Sequence, residues 1–137
     1  MTSSSNSRKK TLVGFDFFND TEAKMPFLDF LHMKDAVLGK KYALSVAIVS
    51  QSKIRELNKR WRDKNEPTDI LSFPLSETEG EIYINPEMTK KMAHEFGRKY
   101  DNFLLFLFIH GIVHLKGYDH GAIMENIEIK FRKRFGI

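Results

Sequence analysis

At 137 residues the chain has room for one domain that buries about two-thirds of its unfolded surface, and 42% apolar with 29% charged residues excludes global disorder. With no cysteine it can form neither disulfides nor thiolate metal sites, so histidine or carboxylate must hold any transition metal. A net charge of +4 inclines it mildly toward polyanions, and its longest apolar run, Phe103 to Ile109, is far short of the ~20 residues that span a bilayer.

Residues 1–10 are polar, lack the apolar core of a signal peptide, and are predicted to be a flexible tail ahead of a single domain over residues 11–137. The expected setting is cytoplasmic, with no membrane association. "TLVGFDFFN", Thr11 to Asn19, is rich in β-branched and aromatic residues and predicts a first strand. Phe27, Leu28, Leu31 and Leu38 follow at mostly helical intervals, closed by Gly39.

"YALSVAIVS", Tyr42 to Ser50, predicts a second strand, and Ser50 or Ser52 can cap a helix whose Ile54, Leu57 and Trp61 share a face. "RDKNEPTD", Arg62 to Asp69, is a polar loop. Beyond it, "ILSFPL" predicts an edge strand, because Pro74 cannot donate to a ladder. The "SETEG" turn joins it to "EIYIN", and Pro86 opens a helix at a position where its missing N–H is harmless.

From Asn102 to Lys116 apolar residues cover nearly the whole helical circumference, which predicts a buried central helix stopped at Gly117. A last helix carries Ile123, Ile127, Phe131 and Phe135 at four-residue steps, supported by a Glu128 to Arg132 pair. The predicted fold class is α/β (α+β-like): one domain with a small, mixed, four-stranded sheet and about five helices, with at least one parallel crossover.

The chemistry concentrates in "HGIVHLKGYDH", His110 to His120. Residues four apart on a helix share a face with Cβ atoms about 6 Å apart, so His110 and His114 can grip one ion. Gly117 lets the chain turn and return His120 as a third ligand. Three imidazoles suit Zn2+ and leave a fourth position for water or substrate, the mark of a catalytic site. The spacing matches zinc proteases of the H-E-x-x-H-x-x-G-x-x-H kind, except that Gly111 stands where their general-base glutamate belongs. A glycine inside a helix costs about 1 kcal/mol relative to alanine, so either a bulky substrate or a close neighbouring element must need that space. His32 and His94 have no comparable setting and are taken as ordinary surface residues.

"HGIVHLKGYDH", "RWRDKNEPTDILSFP" and "GEIYINPE" together resemble the YbeY family of bacterial single-strand-specific endoribonucleases of ribosomal RNA maturation. The resemblance runs over nearly the whole chain from about Thr11. It implies a mixed α/β fold, one zinc-type ion on His110, His114 and His120, and single-stranded, ribosomal RNA as substrate, with ribosomal proteins as further partners. An arginine before the "PTD" segment is important in that family, and Arg62 occupies the matching position; Trp61, Asn65 and Lys116 depart from its usual residues. A guanidinium at Arg62 suits phosphate recognition and charge stabilisation in its own right. Arg62 and His114 are the expected catalytic residues, with Arg62 also binding substrate. Asp119 is read as a cap for the last helix, and Tyr118 as either a base-stacking or a packing residue. The alternatives are a non-catalytic assembly factor with a structural metal and a metalloprotease, the latter weakened by Gly111.

Overall fold

The computed structural model describes residues 9–137. Five strands form one sheet: β1 (Lys9–Leu12), β2 (Phe15–Asn19), β3 (Ala43–Ile48), β4 (Ile70–Ser76) and β5 (Glu79–Ile84). Five helices pack around it: α1 (Phe27–Leu38), α2 (Gln51–Arg62), α3 (Pro86–Glu95), α4 (Tyr100–Leu115) and α5 (Ala122–Phe135).

The sheet order is β1-β2-β3-β5-β4, with β2, β3 and β5 parallel and antiparallel hairpins at both ends. The expected count of four strands is corrected here. "TLVGFDFFN" is not one strand, because Gly14 at φ +76° turns the chain between Leu12 and Phe15 and folds the segment into a hairpin. A side chain there would collide with the Lys40 carbonyl oxygen, so glycine suits the turn both conformationally and sterically. β1 begins at Lys9, so two residues of the expected tail, Lys9 and Lys10, are paired strand; the rest of that tail lies outside the described residues.

Period-two alternation divides the sheet into two faces. On the front, the rung Phe17, Val46, Ile82, Ser72 and the rung Ile48, Ile84, Ile70 lie side by side across the strands. These apolar residues meet Phe30, Met33 and Val37 of α1 and Leu104, Phe108 and Ile112 of α4 in the main core. On the back, Leu71 packs with Ile54 and Leu57 of α2. Trp61 does not join them as expected: it is 65% exposed.

α4 has nine fully buried residues, including Gly111, and is the central helix the sequence predicts. Ser50 caps α2 by accepting from the Lys53 N–H at 3.2 Å, and Pro86 stands at the start of α3. In α5, Ile127, Phe131 and Phe135 pack on the core while Ile123 is 70% exposed. Its N-cap is Gly121 and no side chain caps it, so Asp119 does not play the capping role. Among the described residues no helix is long and apolar enough to cross a membrane.

Candidate active-site cleft

β4 is the open edge of the sheet, and α4 crosses the front face beside it. Between them lies a cleft of about 350 Å³ that collects Arg62, Asp69, Ser72, His110, His114 and His120, with phenylalanines along one wall. All four residues singled out from sequence are thus brought together from three separate segments. His32 and His94 do not line it.

His110 and His114 project from the last two turns of α4. His110 Nδ1 lies 3.0 Å from Glu128 Oε1, and His114 Nδ1 donates to the Tyr118 carbonyl oxygen at 2.9 Å. Both partners accept, so both rings carry their proton on Nδ1 and keep the Nε2 lone pair for a ligand, an arrangement common behind metal-bound histidines. Tyr118 itself is partly buried against the core, as its packing role expects. The His120 ring lies 5.2 Å from His110 and 5.6 Å from His114, centroid to centroid, with planes 28° and 26° apart. The third ring thus stacks alongside the other two, and among the described residues no set of three His, Asp or Glu side chains is already closed around one point. In donor chemistry the three imidazoles fit a zinc-type ion, two of them with their tautomers fixed for it. The turn carrying His120 is flanked by Gly117 at φ +113° and Gly121 at φ +150°, backbone states that glycine adopts readily and that return the ring toward α4.

Arg62 reaches the cleft around the edge of the sheet. It leaves the end of α2 on the back, passes over the Phe73 ring with its guanidinium carbon 5.4 Å from the centroid, and donates from Nη2 to the Ser72 carbonyl oxygen at 2.9 Å. The loop after it is pinned at several points. Asn58, buried, donates to the Glu66 carbonyl at 2.9 Å; Arg55 donates to Asn65 Oδ1 at 3.0 Å; Asn85 donates to the Thr68 carbonyl at 3.2 Å. Asp63 ends α2 in the left-handed region at φ 57°. These bonds hold Arg62 in place, and among the described residues only its Nη2 has a hydrogen-bond acceptor, which leaves further donors for an anion.

Two residues, Asp69 in the cleft and Glu128 behind it, have surroundings that the sequence does not reveal. Burial pushes the Asp69 carboxyl above the usual carboxylate range, against opposing pulls from backbone N–H groups, Thr68 and His110. Glu128 forms the expected pair with Arg132, at 3.7 Å, and is also buried against His110, which it joins to that arginine. Only the packing of α5 on α4 brings it there, so no local spacing reveals it.

The Gly111 question resolves toward packing. A Cβ at Gly111 would stand 2.9 Å from Ser72 Oγ and 3.1 Å from both Ile70 Cδ1 and Ile82 Cδ1, so the glycine faces the sheet and lets α4 lie close on β4 and β5. That close approach is what brings the histidines of α4 beside Arg62 and Asp69.

Comparison with known proteins identifies the family. The profile of the family described as Endoribonuclease YbeY matches residues 12–135. The endoribonuclease YbeY of Francisella philomiragia is 35% identical over 146 residues, covering 91% of this chain and 92% of that protein. The endoribonuclease YbeY of Thermotoga maritima is 42% identical over 93 residues, covering 66% of this chain and 62% of that protein. The solution structure of TM1509 from Thermotoga maritima superposes with a TM-score of 0.60 at 32% identity, covering 80% of this chain and 81% of that one. The chain belongs to the YbeY family of endoribonucleases.

Proposed function

We propose that this protein is a metal-dependent endoribonuclease that cuts single-stranded RNA, with ribosomal RNA as its substrate and the maturing ribosome, in the cytoplasm, as its place of work. The observation that carries the reading is the meeting of three imidazoles and Arg62 in one cleft. His110, His114 and His120 would hold the ion, which when bound supplies Lewis acidity toward a phosphoryl oxygen and makes a water more acidic.

The remaining work falls to the chain's own groups. Arg62, already ordered by Ser72 and Phe73, presents free N–H donors to the phosphate oxygens and stabilises the charge that grows on them during cleavage. Glu128 and the Tyr118 carbonyl hold the His110 and His114 rings in one tautomer and one orientation. Asp69 offers a carboxylate in the cleft, raised in pKa by burial, that can accept a proton from the attacking nucleophile, ribose hydroxyl or water. Gly111 contributes no base, and its place against the sheet removes the feature on which a protease reading would depend.

End analysis of the RNA fragments tests the chemistry: a 2′,3′-cyclic phosphate identifies the ribose hydroxyl as nucleophile, and a free 3′-hydroxyl identifies water. Purified protein that binds zinc but leaves single-stranded RNA intact would remove the catalytic reading.

A further inference from the structure

One wall of the cleft is aromatic. Phe96, Phe103 and Phe106 line the same cavity as the histidines, and they form a continuous ring system: Phe96 lies 5.3 Å from Phe103, and Phe103 stacks on Phe106 at 5.5 Å with planes 12° apart. Phe103 belongs to the core, but Phe96 is 58% exposed. Two guanidiniums lie over Phe106, Arg98 at 4.4 Å and Arg132 at 4.8 Å from its centroid.

The exposure of Phe96 is built in by the backbone. α3 ends in a Schellman turn in which Gly97, at φ +67°, donates to the His94 carbonyl at 3.2 Å and Arg98 donates to the Ala93 carbonyl at 2.9 Å. The turn leaves Phe96 at the rim and sends Arg98 back across Phe106, where Asn102 accepts from its guanidinium. Arg132 is held from the other side by Glu128.

Phe96, an exposed ring linked through Phe103 to Phe106 and its guanidiniums, is poor as core and well suited to an unpaired base with a neighbouring phosphate. We propose that Phe96 is a stacking platform for one nucleobase of single-stranded RNA, with Arg98 contacting the adjoining phosphate and Arg132, ion-paired to Glu128, holding Phe106 behind it; this rests on the endoribonuclease reading of the cleft. A base held in a duplex has both faces covered and cannot use the platform, so the subsite selects single strands beside the point of cleavage.

The test uses metal-loaded wild type, Phe96→Ala, Phe96→Trp and Arg98→Gln, with single-stranded RNA oligonucleotides carrying 2-aminopurine at successive positions and cleavage-resistant 2′-O-methyl phosphorothioate linkages. Phe96→Ala is expected to lose about 5- to 100-fold in affinity and the fluorescence quenching at one position, and Phe96→Trp to restore both. Arg98→Gln should weaken all single strands alike and flatten the salt dependence by about 0.7 in log–log slope. Circular dichroism and the Phe96→Trp rescue separate lost stacking from lost folding. If wild type binds RNA and Phe96→Ala binds it equally well, the platform is wrong and the cleft reading stands; if wild type binds no RNA, both fall.

Discussion

Glu128 Oε1 lies 3.0 Å from His110 Nδ1, joining the last helix to the first histidine of the motif across eighteen residues of chain. A carboxylate in that position fixes the imidazole tautomer and raises its basicity toward a ligand on Nε2. Glu128→Gln, which keeps the shape and removes the charge, is expected to weaken zinc binding by about 10- to 100-fold with little change in folding. Competition against a chromophoric chelator measures this, and an unchanged affinity would detach Glu128 from the metal site.

Gly111 sets how closely α4 approaches the sheet. Gly111→Ala gains about 1 kcal/mol of helix propensity but forces Ser72 and two isoleucine ends to move, an overpacking that costs about 1–3 kcal/mol. The net expectation is a loss of about 1 kcal/mol in urea denaturation, with the folded protein retaining most of its RNA cleavage. Full stability with abolished cleavage would restore the idea that substrate occupies this space.

Tyr42 Oη is buried with no hydrogen-bond partner among the described residues. Tyr42→Phe should therefore stabilise the protein by about 1 kcal/mol at neutral pH. Desolvation, with Glu79 adding to it, raises the phenol's pKa above its ordinary 10.0. A group whose pKa rises on folding contributes stability that is fully present below its unfolded pKa and is lost as pH climbs through the folded one. The wild type should thus lose stability above pH 10 through this residue, and the variant should lose less; parallel curves of melting temperature against pH for the two proteins would contradict this.

The hairpin at Gly14 is tested by Gly14→Ala. The new methyl would stand 2.5 Å from the Lys40 carbonyl and 3.0 Å from the buried ammonium of Lys34, in a backbone state that alanine resists. A destabilisation of about 3 kcal/mol is expected. Thermal unfolding measures it, and a loss below about 1 kcal/mol would mean that the turn is readily rebuilt.

Much of the fold could be read locally because the signals were local. Pro74 marked the edge strand, Pro86 and Ser50 marked helix starts, and the apolar circumference of residues 102–116 marked the central helix. The hairpin was missed because Gly14 sits inside a run of strand-forming residues, where one glycine does not reveal whether the chain bends or continues. In the cleft, His110, His114, His120 and Arg62 could be named from spacing and resemblance. Glu128, Asp69 and Phe96 could not: their roles come from the packing of α5 on α4 and from burial at a strand edge, neither of which leaves a mark in neighbouring residues.

The central claim is that the imidazoles and Arg62 act on one substrate. Metal content and cleavage of single-stranded and duplex RNA, measured side by side for wild type, His114→Ala and Arg62→Glu, test it most directly. The expected result is about one zinc-type ion per wild-type chain and cleavage of the single strand. His114→Ala should lose metal and activity together; Arg62→Glu should keep its metal and lose at least about 100-fold in activity. Cleavage that survives in both variants, or an Arg62→Glu protein as active as wild type, would contradict the account.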